Sequence, residues 1–204
     1  MGFDMNAFSL AGKKAIVTGG AKKTGLCYGM AVALHDAGAE IVILDANSQV
    51  ENTVAELGGA KSGYHAVVAN LLDLNDLSNG FQQAISALGG RLDILVNGAG
   101  LQYRCPSEEF PEDAWDRIMG VNIKGVFFMS QLAGKVMLKQ GKGKIINIAS
   151  TNSFIGLRNM PAYVSSKGGV KQLTMALSSE WSGRGINVNA IAPLRGERSK
   201  SIPG

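Results

Sequence analysis

Short apolar runs alternate with longer amphipathic ones along almost the whole 204-residue chain. KAIVTG (14–19), EIVILD (40–45), YHAVVAN (64–70), LDILVN (92–97), KIINIAS (144–150) and INVNAIA (186–192) read as strands. They are rich in Val and Ile and apolar on both faces, as parallel strands covered on both sides must be. Between them, residues 24–38, 48–57, 74–88, 112–140 and 160–183 read as helices. This alternation predicts a single α/β domain over 1–204, a doubly wound parallel sheet of about six strands with helices on both faces. Residues 1–9 are expected to form an N-terminal arm and 194–204 an atypical polar tail. No linker, repeat or low-complexity segment divides the chain. In such a sheet the ligand crevice lies at the carboxyl ends of the strands.

Composition narrows the class. An apolar fraction of 46% with 18% charged residues fits a folded globule and not a disordered chain. The net charge of +4 comes from scattered basic residues, with no basic stripe interleaved with aromatics, so no nucleic-acid partner is expected. No apolar run approaches the roughly 18 residues of a membrane span, and MGFDMNAFSLAGKK lacks the apolar core of a signal peptide. Cys27 and Cys105 stand far apart with no CxxC pair, which suggests reduced thiols in the cytoplasm. His35 and His65 have no partners at metal-ligand spacing, so no metal is expected.

Two constellations carry chemistry. The first strand runs through TGGAKKTG (18–25) into a helix. Glycines there allow a tight turn and let a pyrophosphate approach backbone N–H groups at the helix N-terminus. Asp45 closes the second strand about 20 residues further on, where a carboxylate can accept from an adenosine ribose. Together they point to a dinucleotide site. The second constellation is YVSSK, with Tyr163 and Lys167 at i and i+4 on one helix face. A phenol beside an ammonium can act as a general base for an alcohol, because the positive charge favours the phenolate.

These motifs, in this order, resemble the short-chain dehydrogenase/reductase family, from about Phe8 to Pro193. Thr18, Gly19 and Gly25 match the family's TGxxxGxG, with Lys23 in place of the middle glycine. Asn97, Gly98, Ala99 and Gly100 match NNAG, with the second asparagine replaced. Asn70 and Leu71 stand where the family has an acid and an apolar residue beside the adenine. The resemblance implies a Rossmann-type fold and a cofactor site that includes Gly19, Lys22, Lys23, Thr24, Gly25, Asp45, Asn70, Leu71, Asn97, Gly98, Ala99, Tyr163, Lys167 and Pro193. It implies an active-site set of Asn122, Ser150, Tyr163 and Lys167. Ser150 lies 13 residues before Tyr163, at the family's spacing. In this set Tyr163 is the general base, Ser150 holds the reacting oxygen, Lys167 assists Tyr163 and holds the nicotinamide ribose, and Asn122 holds a water that leads the proton to solvent. Asp45 favours NAD over NADP, because a 2′-phosphate would meet a like charge. Lys22 and Lys23 argue the other way, but exposed lysines gain little in water.

AGLQYRCPSEEFPEDAWDRIMGVN (99–122) is similar to sugar-acid members of the family, of the gluconate 5-dehydrogenase and 2-deoxy-D-gluconate 3-dehydrogenase type. That implies hydride transfer between a secondary alcohol and a ketone on a substrate such as gluconate. Ser150 and Tyr163 would contact this substrate, and Arg104 is a candidate for its carboxylate. The resemblance also implies a homo-oligomer built on the helices at 112–140 and 160–183. Their apolar residues (Phe127, Phe128, Met129, Val136, Leu173, Met175 and Leu177) exceed what one sheet face needs. After Pro193 the pattern departs: Leu194 replaces a glycine and RGERSKSIPG (195–204) follows. Relative to the family, the chain is therefore expected to be shortened at its C-terminus, with an open sixth strand. The alternative is a nucleotide-binding remnant or regulatory protein with little turnover.

Overall fold

A computed structural model describes residues 5–194. The tail from 195 onward and the first four residues of the arm lie outside the described residues. Six strands form one parallel sheet: β1 (Lys14–Thr18), β2 (Glu40–Asp45), β3 (Tyr64–Val68), β4 (Ile94–Asn97), β5 (Gly143–Ile148) and β6 (Ile186–Ile191). Their order is β3-β2-β1-β4-β5-β6. The helices are α1 (Leu26–Asp36), α2 (Gln49–Glu56), α3 (Leu74–Ala87), α4 (Glu112–Met119), α5 (Val126–Gln140) and α6 (Pro161–Trp181). The order reverses between β1 and β4, and that switch point opens a crevice at their carboxyl ends. The expected Rossmann-type architecture is present, and each strand and helix falls within a few residues of its predicted span.

Side chains that alternate along the strands feed two apolar layers. Ile16, Val42, Leu44 and Leu95 face one way and pack with Leu77, Phe81, Met129, Met137, Leu177 and Trp181 of α3, α5 and α6. Ala15, Val17, Ile41, Ile43 and Val96 face the other way, against Ala31 of α1 and Val50 and Val54 of α2. Central strands β1, β2 and β4 are buried almost throughout, whereas Asn189–Ile191 of β6 are exposed at the sheet edge. The apolar surplus on the last helices divides. Met129 and Leu177 are core, Phe127, Phe128, Val136 and Leu173 pack partly against it, and Met175 is exposed. The stretch predicted as one helix over 112–140 contains a π-helical turn, Gly120–Gly125, between α4 and α5. Such turns often mark functional sites, and this one carries Asn122. The histidines are structural: His35 stacks on Tyr64 at 4.1 Å, and His65 meets Glu40 at 2.8 Å.

Candidate active site

Two adjoining cavities occupy the crevice. One of about 510 Å³ is walled by the ends of β1, β2 and β3 and by α4. The other, about 400 Å³, is walled by the ends of β4 and β5, α6 and Pro193. They share Leu26, Gly98, Gly100, Leu101 and Ile148, so they are two lobes of one cleft. Both volumes lie in the usual range for ligand sites.

The adenosine-side lobe is shaped mainly by backbone. Gly19 adopts φ +85°, and a Cβ there would stand 2.7 Å from Ala99 Cα, so only glycine lets the β1 turn lie against the β4 turn. Thr18 Oγ1 accepts from the Gly98 and Ala99 N–H groups at 3.0 and 3.1 Å and locks the two turns together. Gly25 is the extended N-cap of α1 and supplies no side-chain cap, so the first N–H groups of α1 remain available to an anion. Asp45 braces this turn by accepting from Ala21 N–H at 2.9 Å, and it accepts from Asn47 N–H at 3.0 Å. Asp45, Asn70 and Leu71 all line the lobe. Asn70 Oδ1 is held by Leu72 N–H at 3.0 Å.

Lys22, Lys23, Thr24 and Gly25 lie on the turn but not among the residues that wall either lobe. Lys23, one of the implied cofactor residues, pairs its ammonium with Glu56 at the end of α2. The turn accepts Lys23 without positive φ, since Asn159 is the sole non-glycine residue with positive φ among the described residues. Gly98 takes the second asparagine position of the motif for a steric reason. A Cβ there would fall 2.2 Å from Cys27 Sγ, so the thiol fills the room a side chain would need. Burial pushes the Cys27 thiol up to about 11, with nearby Lys167 opposing the shift, so it stays protonated at neutral pH.

The catalytic lobe is held by side chains. Ser150, Tyr163 and Lys167 all line it, together with Pro193. Lys167 is 5% exposed and donates to Ile148 O at 2.5 Å. Its burial pushes it down to about 8, and the neighbouring Cys27 opposes this. Its Nζ lies 5.8 Å from the Tyr163 ring centroid. Tyr163 is half-buried, and its hydroxyl makes no hydrogen bond among the described residues. Ser150 Oγ accepts from Asn152 N–H at 3.1 Å, which leaves its own O–H to donate into the lobe. Ser153 ties this loop to α6, donating to Lys167 O at 2.7 Å and accepting from Ser150 N–H at 3.3 Å.

Asn122 is fully buried, and both Nδ2 hydrogens of its amide are used. Oδ1 accepts from Leu101 N–H at 2.7 Å; Nδ2 donates to Leu101 O at 2.9 Å and Ser166 Oγ at 3.0 Å. The side chain therefore splices the β4 loop to α6, and Oδ1 keeps a second lone pair. Asn97 works similarly deeper in, donating to Ser130 Oγ and Asn147 Oδ1, each at 2.9 Å. Arg104 is exposed on the loop after β4 and is not among the residues that wall the catalytic lobe. Gln102 is the polar loop residue that does wall it. The sequence reading passed over Gln102, Cys27 and Arg117, although Arg117 stands one helical turn before Val121, another wall residue. That spacing was the available signal.

A long two-lobed cleft with a bare helix N-terminus between its lobes, a carboxylate in one and a phenol–ammonium–hydroxyl group in the other defines a dinucleotide-dependent alcohol oxidoreductase. The short chain dehydrogenase family model matches residues 13–195. The chain belongs to that family. It is 44% identical over 190 residues to the 2-dehydro-3-deoxy-D-gluconate 5-dehydrogenase of Escherichia coli, covering 93% of this chain and 74% of the relative. It is 38% identical over 187 residues to the D-threitol dehydrogenase of Mycolicibacterium smegmatis, covering 91% and 71%. Among solved structures, a gluconate 5-dehydrogenase from Burkholderia cenocepacia in complex with NADP and tartrate superposes with a TM-score of 0.85 at 33% identity, covering 93% of this chain and 73% of that one. The chain is thus an NAD(P)-dependent dehydrogenase acting on CH–OH groups.

Proposed function

We propose that this dehydrogenase interconverts a hydroxyl and a ketone on a sugar acid of the gluconate or 2-deoxygluconate class, and that it prefers NAD. The observation that carries the reading is the convergence of Ser150, Tyr163 and Lys167 on one lobe, joined through Gly98–Leu101 to a lobe that holds Asp45. NAD(P) fits this cleft, and when bound it supplies the hydride acceptor. Tyr163 takes the hydroxyl proton as general base, or returns it in the reverse direction. Ser150 donates to the reacting oxygen and stabilises its developing charge. Lys167 stands behind Tyr163 with its charge made easy to lose, which suits a group that passes the proton onward. Gly19, Thr24, Gly25 and the first turn of α1 receive the pyrophosphate, Lys22 stays beside it in solvent, and Asn97, Gly98, Ala99 and Pro193 shape the nicotinamide end. Asn70 and Leu71 flank the adenine.

Support for a sugar acid comes from relatives named for gluconate derivatives, and Arg104 is the cation on the substrate-side loop that suits their carboxylate. Asp45 supports NAD, although the Burkholderia relative was solved with NADP. The half-exposed apolar faces of α5 and α6 support a homo-oligomer, which light scattering would test. Cys27 and Cys105 are free thiols, and among the described residues no helix is long and apolar enough to cross a membrane, which supports a cytoplasmic setting.

The test is steady-state cofactor reduction with gluconate and 2-deoxygluconate beside the neutral polyols glycerol and threitol, each with NAD and with NADP. The reading predicts a higher kcat/KM for the sugar acids and for NAD. A polyol that matches or exceeds them overturns the substrate class. Equal or better efficiency with NADP overturns the cofactor preference.

A further inference from the structure

Only two side chains that wall the adenosine-side lobe carry a formal charge, Asp45 and Arg117. Their situations are opposite. Both oxygens of Asp45 are engaged by backbone N–H groups, Ala21 of the β1 turn and Asn47 of its own. Arg117 makes no hydrogen bond or ion pair with its side chain among the described residues. Arg117 is exposed, so its guanidinium is free to turn toward a ligand. Asp113 stands four residues earlier on α4, where an i to i+4 ion pair would be ordinary. No such pair forms, and Arg117 is one of the residues that wall the lobe.

The backbone that carries Arg117 is fixed. Ile118 beside it is 2% exposed. Leu72 packs so closely on Gly120 that a Cβ there would meet Leu72 Cδ2 at 2.5 Å. Asn122, two residues further, is spliced to Leu101. Between these anchors, the lobe is a slot. Asp45 and Ala46 form one side, Ala69 to Leu72 the floor, and Val121 with Arg117 the other side. The floor and the Val121 side are largely apolar and accept the flat face of a purine. Arg117 lies one turn outward from Val121 on the same helix face. A guanidinium is planar and weakly hydrated, and it stacks on aromatic rings in a way an ammonium cannot.

We propose that Arg117 is an adenine-binding residue, its guanidinium folding across the exposed purine face as a clip on the cofactor. The clip acts on the base and not on the 2′-position, so it serves NAD and NADP alike, and cofactor choice is left to Asp45. This rests on the reading of the cleft as an NAD(P) site. Arg117 touches no reacting atom.

Calorimetric titration of the full chain separates the possibilities. The ligands are NAD, NADP, ADP-ribose and nicotinamide mononucleotide; the proteins are wild type, Arg117→Ala and Arg117→Lys, each at low and high salt. Stacking predicts that Arg117→Ala weakens NAD, NADP and ADP-ribose by about fivefold to twentyfold and leaves nicotinamide mononucleotide unchanged. Arg117→Lys recovers less than half of that loss, and the ratio to wild type survives added salt. Unchanged NAD affinity in Arg117→Ala overturns the clip while leaving the site reading intact. Full recovery by lysine with strong salt dependence overturns it in favour of general attraction to the diphosphate. A loss confined to NADP overturns it in favour of pairing with the 2′-phosphate. Failure of wild type to bind any dinucleotide overturns the site reading itself. Because Arg117 is exposed, both variants are expected to melt like wild type.

Discussion

The two lobes of the cleft are built by opposite means. The adenosine-side lobe is a contour of backbone and small side chains: Gly19 against Ala99, Gly98 against Cys27, and N–H groups gathered by Thr18 and Asp45. The catalytic lobe is a mesh of side-chain bonds, in which Asn122, Ser153 and Ser166 hold the loops and helix that present Ser150, Tyr163 and Lys167. A contour tolerates a new residue wherever its shape survives. A mesh does not, since a deleted partner leaves a buried polar group unpaired. This explains where the chain departs from its family's pattern. Lys23, Gly98 and Asn70 lie on or beside the contour, whereas Asn122, Ser150, Tyr163 and Lys167 of the mesh keep the family's residues.

The largest effect on stability belongs to the mesh. Burial holds Lys167 near 8 in the fold against 10.5 as its ordinary value. Below pH 8 the lysine is protonated in both states, and the fold carries the burial penalty. Between 8 and 10.5 the unfolded chain binds more protons, so stability rises with pH. Urea titrations should show wild type gaining on Lys167→Met across that window, by up to about 3 kcal/mol. Cys27 has the opposite slope between 9.0 and about 11 and is coupled to Lys167, so both proteins are compared in a Cys27→Ala background to isolate the lysine. A flat difference would mean that Lys167 is not buried as a charge. The next effect lies on the contour at its tightest point. Gly98→Asn should cost about 1–3 kcal/mol by overpacking against Cys27, and Cys27→Ala should recover most of it in a double-mutant cycle. Additive effects would show that the thiol does not fill that space. The smallest effect is Lys23→Gly. It restores the family's glycine, removes an exposed ion pair, and should change stability by no more than about 0.5 kcal/mol. NAD affinity measured alongside should stay within about twofold of wild type, because the Lys23 ammonium is held by Glu56.

The sheet was legible in the sequence because parallel central strands are apolar on both faces, and Lys14–Thr18, Glu40–Asp45 and Ile94–Asn97 are buried almost throughout. The π turn was not legible, since GVNIKG carries no pattern that separates it from the α-helices on either side. Ser150, Tyr163 and Lys167 were found by spacing and do converge on one lobe. Asn122 came from the resemblance of VNIKG to the family's helix asparagine, but its hydrogen bonds to Leu101 depend on a loop that comes together only in the fold. Arg104 and Arg117 show the limit most clearly. Both are lone arginines near the same cleft, and only the path of α4 over the β3 loop tells which one walls it.

The most direct test of the account is to measure NADH affinity and gluconate turnover in wild type and Tyr163→Phe side by side. The account predicts NADH affinity within about twofold of wild type, since the adenosine lobe is untouched, and kcat lower by about 10²–10⁴-fold, since the general base is gone. Turnover that survives the loss of the Tyr163 hydroxyl would contradict the assignment of the catalytic lobe, and affinity that collapses with it would contradict the separation of the two lobes.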